Sequence, residues 1–588
     1  MNPISHEAAR RVRDGVLPHL PPRATPLNTT IQLKVSASAD AFPICKVTDI
    51  QRDLKWEMAL AFEGGVWRTD VLTPSRPTLL RYHFELADGT RIQERRQMEG
   101  VTKPLFGEWD VRDFSLAVYD PAGAPPAWVA GQVMYQIFPD RFAVGNPASL
   151  RRKHELVHGQ EPLYQVWTDK PEHPPQGRDF FGGDLRGVIN KLDYIKDLGV
   201  TCVYFTPIFA APSNHRYDAT DYFQIDPRLG SEADLRELIE AAGQRGIRVL
   251  LDGVFNHCSN EHPFFKEARQ DRTSPYTRWF EFTDWPDYDG WLKVKNMPEF
   301  IECPEVEAYF LGTNGVVRHW LRTGIAGWRT DVTPWMTDEF CRRIRDAIKA
   351  ENPDAYYIAE DWGDCTARFL GNQYDATMNY RFAYSVVGWA NGHLTPSELD
   401  DRLETIRRDY AEPFFNAQMN LLGSHDTPRL LSQCNGNKQN LMLAAALQLG
   451  YPGVSMIFAG DEAGCVGTYA EAARVPFPWD SIDADIHDFY RRAANARQAS
   501  QALRRGNLET LWIDDAARTY GFARKHAASG ECVYVLLNEG DAPATITVSA
   551  EASGTWRDLL GKLPDVNSQA GLLSVTLPAK SAAWYAMP

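Results

Sequence analysis

The chain has 588 residues, of which 44% are hydrophobic and 24% are charged, a composition typical of a globular protein with two to four domains. The formal net charge of −15 argues against a nucleic-acid partner, because binding phosphates requires clustered Lys and Arg. No apolar run approaches the length that spans a bilayer, so we expect no membrane partner either.

The start of the chain, residues 1–7, shows no basic region followed by an apolar stretch, so no secretory signal is visible. Nine cysteines occur singly, without a Cys-x-x-Cys pair. Scattered cysteines in odd number are typical of reduced thiols, and we therefore predict a cytoplasmic protein.

Residues 1–120 are predicted to form an N-terminal β-sandwich. Residues 31–35 and 80–86 alternate apolar and polar side chains with period two, and residues 87–90 supply a turn with Asp-Gly at its centre. Short strands at such spacing favour two packed sheets. A stretch rich in Pro, Gly and Ala follows, and we interpret residues 121–130 as a linker.

From residue 131 to residue 500 the pattern predicts a (β/α)8 barrel. Apolar strand-like runs alternate with helical stretches, and such an alternation indicates a parallel sheet covered on both faces. The clearest runs are residues 201–205, 249–251 and 356–359, and the clearest helical stretches are residues 231–244 and 337–350.

Two further units complete the predicted fold, a multidomain α/β protein. Residues 258–306 break the rhythm and are rich in Trp, Phe and Pro, so we interpret them as a small domain inserted after the third barrel strand. Residues 501–588 return to β character and predict a C-terminal antiparallel β-sandwich.

Four polar clusters follow apolar runs of the barrel. In a parallel barrel, reactive groups lie at the carboxyl ends of strands. One such Asp or His alone is more often a helix cap or a structural residue, but four clusters in one barrel favour an active site. They are residues 252–257, 327–331, 358–361 and 421–426.

The second and third clusters predict two carboxylates with different roles. Arg329 and Asp331 are two residues apart on a strand and share a face, so the guanidinium should keep Asp331 charged and competent as a nucleophile; a structural ion pair is the alternative. Glu360 ends an apolar strand, where burial would raise its pKa and suit a proton donor, as glycoside hydrolysis requires. Asp426 would be the third acid.

These clusters, in this order, resemble the four signature regions of the α-amylase superfamily (glycoside hydrolase family 13). Supporting stretches are residues 135–142, 181–185, 214–218, 378–380, 460–462 and 476–479. Within the superfamily the chain is similar to neopullulanases, cyclomaltodextrinases and maltogenic amylases, with maltodextrin glucosidases as close relatives. The resemblance implies retaining cleavage of α-1,4 and possibly α-1,6 bonds in maltodextrins, cyclomaltodextrins or pullulan.

The resemblance also implies roles for individual residues. Asp331 would be the nucleophile, Glu360 the general acid/base and Asp426 the transition-state stabiliser. Six further residues would bind the sugar, with a ring stacked on Tyr217 and a more distant glucose unit on the arginine at position 474. They are Tyr217, Asp252, His257, Arg329, His425 and Arg474.

Three departures from the family pattern affect the surroundings of these residues. Residues 333–335 (Thr-Pro-Trp) replace the small residue, Asn and Glu that usually follow the nucleophile, on the acceptor side. Ala470 stands where an aspartate is expected near Arg474. The loop of residues 144–150 lacks most oxygen ligands of the family's calcium site, although Gly182 and Asp184 remain. Because calcium needs about six to eight oxygens, we expect that site to be weak or empty, and we expect no cofactor.

Several alternatives remain open on sequence alone. An exo-acting maltodextrin glucosidase and a transglycosylating α-glucanotransferase use the same machinery. A non-catalytic glucan-binding protein should have lost the nucleophile or the acid, and a metal-dependent hydrolase should show converging metal ligands. By resemblance we also expect a homodimer.

Overall fold

A computed structural model describes residues 23–147 and 156–587. The expectation for residues 1–7, and residues 148–150 of the loop discussed above, lie outside the described residues.

Eight parallel strands form the central sheet of the molecule, and each is buried on both faces. The strand order is β6-β5-β4-β3-β2-β1-β8-β7, and a parallel bridge from Met378 to Met419 joins the two ends of this sheet. The predicted barrel is therefore confirmed. Its strands are β1 Val133–Ile137, β2 Cys202–Phe205, β3 Arg248–Gly253, β4 Gly327–Thr330, β5 Tyr356–Ala359, β6 Ala376–Thr377, β7 Met419–Leu421 and β8 Val454–Phe458.

Helices alternate with these strands, and local sequence fixes where they begin. Ser231 and Asp234 form a capping box at the start of Glu232–Gln244, and the Thr337 side chain accepts a hydrogen bond from the first turn of Asp338–Glu351. The other helices are Leu185–Asn190, Leu192–Asp197, Pro263–Gln270, Pro304–Leu311, Val316–Leu321, Tyr380–Ala390, Pro396–Asp409, Glu412–Phe415, Leu430–Gln433, Lys438–Gly450, Ala470–Ala473, Ala484–Ala499 and Gln501–Arg505. No helix in the described ranges is long and apolar enough to cross a membrane.

Two antiparallel sheets precede the barrel and enclose a core around Val35, Trp67 and Phe84. The larger contains Thr25–Pro26, Ile44–Asp49, Leu54–Ala59, Thr78–Glu85, Arg91–Ile92 and Phe114–Tyr119, with one parallel pair at its edge; the smaller contains Thr30–Val35, Ala61–Glu63 and Val66–Leu72. A separate two-stranded ribbon pairs Glu94–Gln97 with Trp109–Arg112.

Between β3 and β4 the chain makes a long excursion that carries the helices Pro263–Gln270 and Pro304–Leu311. Bridges from His257 to Glu299 and from Phe280 to Phe300 bring its end back to the carboxyl end of β3. The excursion therefore forms one wall above the barrel.

The C-terminal part contains two antiparallel sheets around a core of its own, which includes Tyr534, Trp556 and Tyr585. The larger sheet runs Asn507–Asp514, Thr519–His526, Glu531–Asn538, Ser581–Ala586, Thr555–Asp558 and Val566–Asn567; the smaller pairs Ala544–Ser549 with Leu572–Leu577. This agrees with the antiparallel character predicted for the region.

Candidate active site

Strand register places the acidic residues of the predicted clusters side by side. Asp252 of β3 lies opposite Arg329 of β4, while Asp331 and Glu360 are the residues that directly follow β4 and β5. Adjacent parallel strands end at one rim of a barrel, so these four side chains converge there.

Arg329 is the centre of this group. Its guanidinium is fully buried. Nη1 donates to Asp252 at 2.8 and 2.9 Å and to Asp331 Oδ1 at 2.9 Å, and Nη2 lies 2.8 Å from Glu360 Oε2. One arginine thus fixes three carboxylates in a common frame, as a planar guanidinium can.

Glu360 is held at both carboxylate oxygens. The backbone N–H of Val332 donates to Oε2 at 2.9 Å, and the indole Nε1 of Trp362 donates to Oε1 at 3.1 Å. Val332 has a φ of 40°, in the left-handed region that a β-branched residue rarely adopts. The strained turn after Asp331 therefore aims an amide at the neighbouring acid.

The electrostatics of Asp331 differ from the sequence expectation, in which Arg329 keeps this carboxylate charged. Burial and the negative charge of Glu360 outweigh Arg329 and raise the pKa of Asp331 well above its usual range, and Asp331 lies within hydrogen-bonding reach of Glu360. Burial likewise raises the pKa of Asp252 to about 6. Burial and the neighbouring carboxylate thus both oppose the ionisation of Asp331, and the guanidinium favours it.

His425 belongs to a chain of hydrogen bonds whose direction can be assigned. Gln136 Oε1 accepts from the His425 backbone N–H at 3.2 Å, which leaves Gln136 Nε2 to donate to Nδ1 at 2.9 Å. His425 Nε2 therefore carries the proton and donates to Tyr217 Oη at 2.6 Å. Asp252 Oδ2 accepts from Tyr217 at 3.1 Å and from Tyr204 at 2.5 Å. Burial lowers the pKa of His425 well below its usual value, so the ring is neutral.

His257 approaches the same group from β3. Its ring stacks on Trp291 at 5.2 Å between centroids, and its Nε2 lies 4.0 Å from Asp331 Oδ2. Burial lowers its pKa to about 4. A neutral imidazole with Nε2 facing the site can bind a sugar hydroxyl.

Asp426 faces the opening of the site, with 26% of its side chain exposed. Its Oδ1 lies 3.2 Å from Arg474 Nη2, and Oδ2 lies 3.2 Å from His425 Nε2. Asp426 is thus the most accessible of the three predicted acids, with room for a ligand beside it.

Two cavities flank the acids. One, of about 470 Å³, is lined by Asn256, Glu299 and Trp335 among others, and the indole of Trp335 is 52% exposed there. The other, of about 270 Å³, is lined by Asn214, His215 and Arg474 among others. The predicted sugar-binding residues therefore lie around the three acids and on one side of them.

Known proteins resemble this chain over its barrel and beyond. A model described as "Alpha amylase, catalytic domain" matches residues 136–525. Cyclomaltodextrinase from Geobacillus thermopakistaniensis is 37% identical over 475 residues, which cover 79% of this chain and 78% of the relative.

The chain belongs to the α-amylase family.

A solved cyclomaltodextrinase structure has a TM-score of 0.73 at 31% identity and covers 95% of this chain and 97% of its own. Amylopullulanase from Thermoanaerobacter thermohydrosulfuricus is 34% identical over 572 residues, covering 83% of this chain. The chain spans 38% of the length of that amylopullulanase. The family resemblance drawn from the motifs is confirmed.

The calcium region of this α-amylase family member is organised by hydrogen bonds from the backbone. Asp184 caps the helix Leu185–Asn190, and its carboxylate accepts from the amides of Gly145 at 3.0 Å, Asn146 at 2.7 Å and Gly187 at 2.6 Å. In residues 23–147 and 156–587, no group of three or more His, Cys, Asp and Glu is arranged to hold a metal. The Asp184 carboxylate thus ties residues 145 and 146 to the start of that helix.

The structure also shows residues that the sequence argument missed. Gln136 of β1 hydrogen-bonds to His425, and Tyr204 of β2 hydrogen-bonds to Asp252. Each places a polar group within an otherwise apolar strand, and this sequence pattern could have identified both residues. Trp362, two residues after Glu360, lies in no sequence pattern that would have identified it as a contact of that acid. Near Arg474, Ala470 begins a short helix, and Glu471 lines the smaller cavity beside Arg474, which places a carboxylate one residue later than expected.

Proposed function

We propose that this protein is a retaining α-glucan hydrolase that cleaves glucosidic bonds in maltodextrins, cyclomaltodextrins or pullulan. The observation that carries the proposal is the contact of one buried guanidinium, Arg329, with both Asp331 and Glu360 at the carboxyl rim of the barrel. Two carboxyl groups held side by side by one guanidinium match the requirement for one nucleophile and one acid.

In the first step a carboxylate oxygen of Asp331 attacks the anomeric carbon while the bond to the leaving oxygen breaks. Glu360 gives its proton to that oxygen, so the leaving sugar departs neutral and a glycosyl ester remains on Asp331. Glu360 must therefore be protonated when the bond to the leaving oxygen breaks. A glycosidic oxygen placed beside Glu360 favours this state, because it accepts the hydrogen bond that a protonated carboxyl donates.

In the second step a water replaces the departed sugar. Glu360, now ionised, takes a proton from the water as its oxygen attacks the anomeric carbon, and the bond to Asp331 breaks. Asp426 faces the opening and would stabilise positive character on the sugar ring. The neutral rings of His257 and His425 and the phenol of Tyr217 would contact the same sugar unit.

The activities for which the relatives are named support the substrate class. They include cyclomaltodextrinase and neopullulanase, at 37% and 36% identity. These names favour an enzyme that opens rings or cuts pullulan over an exo-acting glucosidase or a glucanotransferase.

The setting of the enzyme is part of the proposal. All nine cysteines are free, which supports a reduced, cytoplasmic compartment. We propose a homodimer by analogy with the group, and a reaction without cofactor, since carboxylates, Arg329 and neutral histidines supply each group that the two steps require.

Product analysis on cyclomaltodextrin, pullulan and maltotriose tests the proposal. We expect ring opening and pullulan cleavage, whereas release of glucose alone with cyclomaltodextrin untouched would identify the exo-acting enzyme instead. Asp331→Asn and Glu360→Gln should each lower kcat roughly 10³-fold or more, with circular dichroism unchanged. Asp346→Asn, an exposed acid on the helix Asp338–Glu351, is the matched control. Near-normal turnover of either active-site variant would contradict the assignment.

A further inference from the structure

The ribbon that precedes the barrel lies against the barrel and not within either N-terminal sheet. We call residues 94–112 the hairpin: its strands Glu94–Gln97 and Trp109–Arg112 pair with each other. In the loop between them, the ring of Phe106 stacks on His393 at 5.4 Å between centroids. A Cβ on Gly388 would lie 2.5 Å from that ring, so the loop packs directly on the helix Tyr380–Ala390.

Buried charges join the hairpin to the barrel. Arg96 Nη2 lies 2.6 Å from Asp409 Oδ2, and Arg381 Nη2 lies 2.8 Å from the same oxygen. Arg381 also pairs with Glu99 of the hairpin loop. Arg96 and Arg381 are only 4% and 2% exposed. Buried pairs add little net stability but constrain geometry strongly, so this network fixes the hairpin in one position.

The network continues into the loop that follows β5. Asp364 Oδ2 lies 3.4 Å from Arg112 of the hairpin, and its Oδ1 lies 3.6 Å from Arg381. A Cβ on Gly363 would lie 3.8 Å from the side chain of Val101, at the tip of the hairpin. Residues 363 and 364 are therefore held between the hairpin and the barrel.

These two residues directly follow Trp362, the indole that donates to Glu360. Trp362 stacks on Tyr380 at 3.8 Å, with 17° between the rings. Tyr380 and Arg381 are neighbours in the first turn of one helix. One turn of helix thus supports Trp362 on one side and anchors the hairpin on the other.

We propose that the hairpin is a positioning element for the reaction, which keeps the Trp362 indole on Glu360 through Asp364 and Arg381. The proposal rests on the function proposed above. Without Arg112, Asp364 loses its hydrogen bond to the hairpin, and the loop that carries Trp362 is held less tightly. A general acid that is displaced even slightly from the leaving oxygen transfers its proton poorly.

The test compares two substrates, because proton donation matters only when the leaving group is poor. Arg112→Ala should lower kcat on maltodextrin about tenfold with KM unchanged. On 2,4-dinitrophenyl α-maltoside, whose leaving group needs no proton, the first chemical step should stay within about twofold of the wild type. The basic limb of the kcat/KM pH profile on maltodextrin should also shift, since it reports the acid.

Four further variants make the result specific. Arg95→Ala is the matched control, because Arg95 lies on the same strand with its guanidinium over Trp109, 4.7 Å from the ring centre, and should leave both substrates unaffected. Arg112→Lys keeps the charge and should recover most of the activity on maltodextrin. Asp364→Asn removes the negative charge that Arg112 and Arg381 both face. It should reproduce the split between substrates, and the double variant Arg112→Ala/Asp364→Asn should be no worse than the poorer single variant.

Two outcomes would contradict these expectations, and they have different meanings. If Arg112→Ala and Asp364→Asn slow the first chemical step equally on both substrates, or leave the pH profile unchanged, the hairpin only joins two domains and the inference is wrong. If the wild-type protein cleaves neither maltodextrin nor the aryl glycoside, the proposed function itself has failed. The wild-type measurement therefore separates the two failures.

Discussion

Replacement of Arg329 by methionine removes a buried guanidinium from a group of three carboxylates and keeps most of the side-chain volume. In the wild type, Asp252, Asp331 and Glu360 lie 2.8–2.9 Å from its nitrogens. Loss of one partner from a buried ion pair destabilises a protein by about 3–5 kcal/mol. We expect a loss in this range at pH 7.5, together with loss of hydrolysis.

The loss should depend on pH, and its sign follows from the carboxylates. Without Arg329 the pKa values of Asp252 and Asp331 in the folded state rise further above the unfolded value of about 3.9. The folded state then binds more protons than the unfolded state, so the stability of the variant falls as pH rises through that window. The deficit relative to the wild type should accordingly be smaller at pH 5 than at pH 7.5.

Urea unfolding followed by tryptophan fluorescence at the two pH values measures this difference. Arg236→Met is the matched control: Arg236 is half exposed and pairs with Glu232 one helical turn away, so its loss should amount to about 0.5 kcal/mol or less at either pH. A deficit for Arg329→Met below about 1 kcal/mol, or one equal at both pH values, would refute the reasoning that the three carboxylates depend on this charge.

Three further predictions concern single side chains. Tyr217→Phe removes the hydroxyl between His425 and Asp252, and steady-state kinetics on maltodextrin should show kcat/KM about tenfold lower, corresponding to roughly 1.4 kcal/mol; an unchanged value would mean that the hydrogen-bond chain has no part in binding. Trp335→Ala removes an exposed indole from the larger cavity and should raise KM for long maltodextrins about fivefold, as loss of roughly 1 kcal/mol of stacking implies, while turnover of an aryl glucoside that does not reach this cavity stays constant. Burial lowers the pKa of His262 to about 4, below its unfolded value of about 6.5. The folded protein, in which His262 is neutral, therefore becomes less stable as pH falls from about 6.5 to 4. His262→Asn keeps a capping side chain. In urea titrations, its free energy of unfolding should fall over that pH range by up to ~3 kcal/mol less than that of the wild type. Equal losses would show that His262 does not titrate there.

The part of the site that sequence could predict is the part fixed by strand ends. Asp252, Asp331 and Glu360 each follow an apolar run, and parallel strands must end together, so their convergence required no knowledge of distances. The same argument supplied Arg329, two residues before Asp331. The helical stretch predicted at residues 231–244 likewise matches the helix Glu232–Gln244.

Other contacts could not be predicted because they join residues far apart in sequence. Arg96 and Asp409 are separated by 313 positions, and no local pattern distinguishes Arg96 from its exposed neighbour Arg95. The hairpin was interpreted as part of the N-terminal sandwich, because alternation identifies strands but not the sheet that they join. Trp362 was missed for the same reason, since its role depends on Tyr380 and Glu360 together.

The protonation of Asp331 shows the limit of arguing from one neighbour. Sequence places Arg329 on the same strand face, and a guanidinium alone would favour the charged carboxylate. The fold adds burial and the charge of Glu360, and these two outweigh the arginine. Arg329 divides its charge among three carboxylates, so it cannot fully neutralise any one of them.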